Sequence, residues 1–308
     1  AYRAEHGLIE ANQTIHRVTI EGLAPGQTYE YRIASTKINN QYPYDVQYGK
    51  THYGKVHRFT TLDPAKSETS FLVIADLHQN VELLSALLRA QGDRPYDFVV
   101  FNGDSLDYFT SERQLIESFL KPVSELFASD IPFIFVRGNH ETRGKLARRL
   151  ADYIGTPGGA YYNSFRQGPA QLLVLDTGED KPDSHAEYFG LADFAAYREQ
   201  EFAWLKGAVL AQDYREAAFR IAFAHIPVNE FQMEGEAGFA YQSEWARALN
   251  ESGLDRMLSG HHHINQSFEP AGEVGFPVLL SGGEAYQKGG FFLLRVDVRQ
   301  DAIEVHYI

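Results

Sequence analysis

The sequence predicts a layered α/β protein preceded by a small, incomplete all-β sandwich. Three observations carry that prediction. From Ser70 onward, apolar runs of strand length alternate with segments of helical period, as in strands and helices stacked in layers. Before about residue 64 the alternation has period two, with no helical pattern. Side chains able to bind metal recur just after the predicted strands of the second zone, where open α/β sheets collect their ligands.

In the first zone, residues 1–64, Thr14 to Ile20 alternates as a half-buried strand should. The turn Gly22-Leu23-Ala24-Pro25-Gly26 leads to a second alternating run, Tyr29 to Ile33. Lys55 to Thr60 reads as a third strand after a Tyr-, Asn- and Gly-rich stretch from Ile38 to Gly54. Asp63 to Ser67 is turn-forming and reads as a linker. The second zone, residues 70–308, offers strands at Phe71 to Ala75, Phe98 to Phe101, Pro132 to Val136 and Leu172 to Leu175. Further strands are expected at Arg220 to Ala224, Pro277 to Leu280 and Phe291 to Leu294, with a short apolar run at Arg256 to Leu258. Helical periodicity marks Val81 to Arg89, Glu112 to Leu120, Lys145 to Tyr153, Ala195 to Ala211 and Glu244 to Ser252.

The 308 residues suffice for two domains at roughly 150 residues each. The 28 basic against 41 acidic residues give a net charge of −13. A dedicated nucleic-acid or anionic-membrane binder would want a basic stripe, and none is present. No apolar run reaches the ~18–20 residues needed to cross a bilayer. The absence of Cys excludes disulfides, thiolate metal sites and Cys nucleophiles. The chain begins at Ala1 without Met and without an apolar leader, so a processed and an incomplete N-terminus both stay open.

Five loops carry the chemistry. Asp76-Leu77-His78 follows the first strand of the second zone, Gly103-Asp104 the second and Gly138-Asn139-His140 the third; His225 ends a later strand, and Gly260-His261-His262-His263 follows Leu258. Carboxylate, amide carbonyl and imidazole are hard or borderline ligands, suited to Mn, Fe, Zn or Ni. The i, i+2 spacing of Asp76/His78 and His261/His263 is expected to put each pair on one side of an extended turn. Taken singly, Asp76 reads as a helix N-cap and Gly103-Asp104 as a turn. Taken together, so many buried charged and imidazole groups need pairing or metal.

In this order the motifs resemble the calcineurin-like metallophosphoesterase superfamily, over about residues 70–308. The resemblance implies a four-layer α-β-β-α sandwich with two divalent or mixed-valence metal ions, and a phosphoester small molecule as substrate. It implies Asp76, His78 and His263 on one ion, Asn139, His225 and His261 on the other, and Asp104 bridging. It further implies that a hydroxide between the ions attacks phosphorus in line, with His140 as general acid oriented by Asp107. Arg143 is a candidate phosphate clamp, since guanidinium matches phosphate with two parallel hydrogen bonds. His262 points away from its neighbours and takes a supporting role, and Glu141 a hydrogen-bonding one in its loop.

The first zone resembles a fibronectin type III module, because Gly22 to Tyr29 has the pattern of a tyrosine corner. Such modules run ~100 residues, so further strands are expected upstream. A module of this kind ahead of the catalytic domain is similar to purple acid phosphatases and their bacterial relatives, and carries an expectation of export to the periplasm or outside the cell. Purple enzymes have Tyr three residues after the bridging Asp, and Tyr-Glu-Arg after the last His. Here those places hold Asp107 and Ile264-Asn265-Gln266, so a colourless enzyme is expected. Tyr108 stands where protein serine/threonine phosphatases carry Arg, so that activity is not supported. Two loops, 178–190 (Asp180, Asp183, His185, Tyr188) and 228–241 (Glu230, Phe231, Met233, Glu234, Glu236, Phe239), are expected to rim the site. Either Phe231 or Phe239 could stack on an aromatic leaving group. The alternative class is a non-catalytic, metal-stabilised adhesion protein, which would have no need of His140.

Overall fold

A computed structural model of the chain describes residues 2–11, 13, 15–233, 238–283 and 290–308, Phe231 by its main chain alone. Two mixed sheets form its centre. One has the order Ile303–Tyr307, Leu294–Arg299, Glu68–Ile74, Phe98–Asn102, Phe133–Val136; the other runs Asn163–Gln167, Ala170–Leu175, Phe219–Ala224, Arg256–Ser259, Val278–Leu280, Gln266–Phe268.

Side-chain alternation explains the layers. Along the first central strand, Phe71 and Val73 face the second sheet and pack with Leu172, Val174, Ile221 and Phe223. Their neighbours Leu72 and Ile74 face outward, onto Leu84 and Leu87 of the helix Val81–Gln91 and Phe119 of a helical segment over 112–128. On the other side Leu173 and Leu175 meet Leu205 of the helix Phe194–Ala208 and Trp245 and Leu249 of the helix Ala240–Glu251. Strands buried on both faces read as continuous apolar runs, and each sheet here is covered on both. This is the four-layer sandwich.

Four expectations change. Residues 15–20 form no strand, and Thr14 lies outside the described residues. Among the described residues their alternation has no paired neighbour to use it. The Tyr- and Asn-rich stretch is instead a long hairpin, Ala34–Tyr42 against Asp45–Tyr53. The helix expected at 145–153 is a 3₁₀ segment, Ala147–Asp152. The last predicted strand begins at Leu294 and runs to Arg299, three residues later than its apolar run, since Phe291 packs under the helices.

In the first zone Thr28–Tyr31 pairs with His57–Thr60. The Tyr29 hydroxyl accepts the Ala24 N–H at 2.9 Å, the tie a tyrosine corner makes. The zone is fastened to the rest by Tyr31, whose hydroxyl donates to the Ser129 carbonyl (2.7 Å), and by the Asp63 N–H, given to Gln167 Oε1 (2.7 Å). No described helix is long and apolar enough to cross a membrane.

Candidate metal centre

The parallel strands Glu68–Ile74, Phe98–Asn102, Phe133–Val136, Phe219–Ala224 and Arg256–Ser259 all end at one crevice, and the five motif loops leave from those ends. Asp76, His78 and His263 offer ligand atoms within 4.8 Å of one another, and so do Asp104, His225 and His261. Asp104 Oδ2 stands between the sets, 3.0 Å from His225 Nε2 and 4.0 Å from His78 Nε2. Asn139 joins through Oδ1, 3.2 Å from His261 Nδ1. All seven sequence-predicted ligands are therefore brought together.

The loops reach this arrangement through unusual backbone. Asp76, His78, Asp104, His261 and His263 all have positive φ, between 45° and 73°. Such conformations cost of order 1–3 kcal/mol each in non-glycine residues and persist where the surroundings impose them. The turns are thus left-handed rather than extended, which corrects the spacing argument: Asp76 and His78 still share one set, while His261 and His263 go to different ones. Close packing imposes glycine beside them. A Cβ on Gly103 would lie 2.3 Å from the His225 ring, and one on Gly138 would lie 2.2 Å from Asp104 Oδ1.

Glu141 locks two loops together. Fully buried, it accepts the N–H groups of Gly138 (2.7 Å), Asp104 (2.9 Å) and Leu106 (2.9 Å), which is the hydrogen-bonding role expected of it. Burial, with Asp104 nearby, lifts its carboxyl to about 7.

The clustered carboxylate, amide and imidazole donors fit divalent cations, and the electrostatics of the site agree. Burial pushes the Asp76 carboxyl up to about 8. Burial opposes charge on His225 too, but Asp104 and Asp76 outweigh it and raise the imidazole to about 10. Burial drives His261 down to about 3 and His263 to about 4. Proton sharing alone leaves one carboxylate neutral and the ring nitrogens of His78 and His263 facing each other at 3.3 Å. Cations would let both carboxylates ionise and the imidazoles stay neutral. Asp76, His78 and His263 would hold one, and Asn139, His225 and His261 the other, with Asp104 between.

Two predicted roles are corrected. The Asp107 carboxylate lies within 4.8 Å of His140 but pairs with another ring: its Oδ1 is 2.9 Å from His78 Nδ1. The main-chain carbonyl of Asp107 holds His140, accepting from Nδ1 at 2.9 Å. Arg143 cannot present a free fork to phosphate, because Nε and Nη2 are given to Glu179 (3.2 and 2.9 Å) and Nη2 also to Asp180 (3.1 Å). Only its Nη1 faces the site, 3.2 Å from His140 Nε2.

Glu179 was missed by sequence. It is buried, and besides Arg143 it accepts the hydroxyls of Thr142 (2.5 Å) and Tyr188 (3.1 Å). Its signal was available, since it follows the strand Ala170–Leu175 as the ligands follow theirs. Elsewhere in that loop Asp183 caps the helix Phe194–Ala208, accepting the Phe194 and Ala195 N–H groups. The His185 ring lies tilted against Tyr188, the two centroids 6.0 Å apart. In the other loop Phe239 packs on Tyr241 and under the Arg198 guanidinium, so its ring is already engaged. Met233 packs against the outer core. The Phe231 side chain, Glu234 and Glu236 lie outside the described residues.

Fold and site together define a calcineurin-like phosphoesterase. The chain belongs to that family, whose model matches residues 69–265. It is 25% identical over 281 residues to human (Homo sapiens) acid phosphatase type 7, a match covering 86% of this chain and 59% of the relative. A rat (Rattus norvegicus) protein named serine/threonine-protein phosphatase CPPED1 is 24% identical over 152 residues, 47% of this chain and 46% of its own length. The chain thus spans about half the length of these curated relatives. Among solved structures, a purple acid phosphatase from yellow lupin (Lupinus luteus) superposes with a TM-score of 0.67 at 13% identity, covering 92% of this chain and 58% of that one. A dimetal phosphatase from Danio rerio superposes at 0.58 with 17% identity, covering 78% of this chain and 95% of that one.

Proposed function

We propose that this chain is a metal-dependent phosphoesterase that hydrolyses phosphate monoesters or diesters, with His140 as the general acid. The observation that carries the reading is the convergence of seven ligand side chains from five strand-end loops, with His140 at their edge. Divalent cations bound there would supply neutralisation of the phosphoryl oxygens and activation of a water at neutral pH. The protein's own groups do the rest. A carbonyl can only accept, so Asp107 fixes the proton of neutral His140 on Nδ1 and leaves Nε2 as the position that takes up and releases a proton. That nitrogen faces the cluster, 3.8 Å from Asp104 Oδ2, within reach of a leaving oxygen on a phosphoryl group held there. Arg143 Nη1 borders the same place and can donate to a phosphoryl oxygen.

Residues 1–64 belong to this proposal as a fibronectin III-like module ahead of a catalytic domain at 70–308, in an exported protein. The Tyr29 tie supports the module. Asp107 in place of a tyrosine supports a colourless centre. The test is hydrolysis of a chromogenic phosphomonoester and the matching phosphodiester by Mn-loaded protein, with His140→Asn as control. Turnover of either, lost in the control, is expected. A strong monoester preference would mean a pocket closed around a terminal phosphate, and a diester preference a cleft with room for a second ester arm. No turnover with metal bound would favour the adhesion reading instead.

A further inference from the structure

His262 lies between two ligand candidates, and its neighbour Glu230 has no part in the mechanism above. Glu230 opens a short 3₁₀ turn five residues beyond His225 and is only 4% exposed. A carboxylate that deep needs partners. Its Oε2 accepts from Gln242 Nε2 at 2.7 Å. Gln242 is itself fully buried and pinned, donating to the Pro227 carbonyl (3.0 Å) and accepting the Phe239 N–H at 2.7 Å. The carboxylate is thereby aimed. Its Oε1 lies 3.1 Å from His262 Nε2 and 3.5 Å from His261 Nε2.

His261 presents its two nitrogens to opposite sides. Nδ1 faces Asn139 Oδ1 in the metal cluster, and Nε2 faces Glu230. A neutral imidazole has one lone pair and one N–H. A proton on Nε2 leaves Nδ1 as the ligand atom, and an anionic acceptor opposite Nε2 favours that tautomer while making Nδ1 more basic.

We infer that Glu230, aimed by Gln242, is a positioning residue that fixes His261 as an Nδ1 ligand of the second cation. The inference rests on the proposed ligand role of His261. It also gives His262 a purpose: its Nε2 stands 3.1 Å from the same oxygen, so that the carboxylate spans the 261–262 turn and ties the loop to the segment after His225. Glu230, His261 and His262 could themselves be taken for a third cation site, since their ligand atoms lie within 4.8 Å of one another. With Nδ1 turned to the cluster, however, Nε2 has no lone pair to offer a third ion.

The experiment is calorimetric titration of chelator-stripped protein with Mn²⁺, for wild type, Glu230→Gln and His261→Asn, alongside melting of the metal-free forms. Wild type should show two binding events. Glu230→Gln keeps the shape and removes the charge, so one event should weaken about 10- to 100-fold. The other event and the metal-free melting temperature should hold. His261→Asn should abolish the same event. If His261→Asn leaves both events intact, the ligand role of His261 has failed. If it removes one event while Glu230→Gln leaves both unchanged, the role of Glu230 alone is overturned. Equal weakening of both events, or a third event lost in Glu230→Gln, also overturns it. Should Glu230→Gln not fold, Gln242→Met, which frees Oε2, should weaken the same single event, and an unchanged titration would overturn the inference.

Discussion

Asp107→Asn separates two ways in which one residue can serve this site. In the structure its carboxylate receives His78 Nδ1 and its carbonyl receives His140 Nδ1, each at 2.9 Å. The substitution removes an anionic partner from a ligand imidazole and leaves the carbonyl in place. Loss of such a partner usually costs 10- to 100-fold in metal affinity. The Asp107 side chain is 43% exposed, so water competes for it and the effect belongs at the low end. About tenfold weaker binding of one ion is expected, or about 1.4 kcal/mol. The assay pairs a Mn²⁺ titration with rates at saturating Mn²⁺ on phosphomonoesters of graded leaving-group pKa. Affinity should fall while the slope of log kcat on leaving-group pKa stays as in wild type, because His140 keeps its tautomer. A steeper slope with unchanged Mn²⁺ affinity would refute the reasoning and restore the carboxylate as the group that orients His140.

Three other outcomes are expected. His140→Asn should slow alkyl phosphates by about 10²–10⁴-fold, and aryl phosphates with good leaving groups far less, at unchanged metal content; equal losses on both would remove His140 as the acid. Gly103→Ala should lose metal and lower the melting temperature, because its Cβ would fall 2.3 Å from the His225 ring; metal analysis giving full occupancy would contradict this. Burial, then Asp176, lifts the Glu201 carboxyl well above 4.5, so its stabilising share is full below that pH and declines as pH rises toward the folded value. Glu201→Gln removes that decline, and its stability relative to wild type should climb by about 1.4 kcal/mol per pH unit across the window; urea melts giving a constant difference would sink the claim.

How much of the fold could be read in advance follows from what apolar pattern reports. Strands covered on both faces announce themselves, and Phe98–Asn102, Ala170–Leu175 and Phe219–Ala224 were each found within two residues. The hairpin Ala34–Tyr42 with Asp45–Tyr53 escaped because almost all of its side chains are exposed, so burial imposes no alternation on it. Residues 15–20 show the converse, a strand-like alternation with no described strand beside it. The run Phe291 to Leu294 misled for a third reason: apolarity marks burial, and Phe291 is packed without belonging to a strand.

The site was more legible than the loops that build it. Ligand identity is a matter of residue type and order, which the sequence displays directly. What each side chain touches depends on backbone direction, and here five ligands sit at positive φ, a conformation that residue type alone seldom announces. The spacing of Asp107 from Asp104 was therefore a sound guide to proximity and a poor one to contact. After a left-handed Asp104 the loop offers His140 a carbonyl and gives the carboxylate to His78. Arg143 teaches the same point through charge. Its distance from His140 in sequence suggested a free cation, yet Glu179, 36 residues further along the chain, takes two of its three nitrogens. Whether an arginine is available to a substrate is decided by the partners the fold brings to it. In a chain of net charge −13, a buried carboxylate is the partner to look for first.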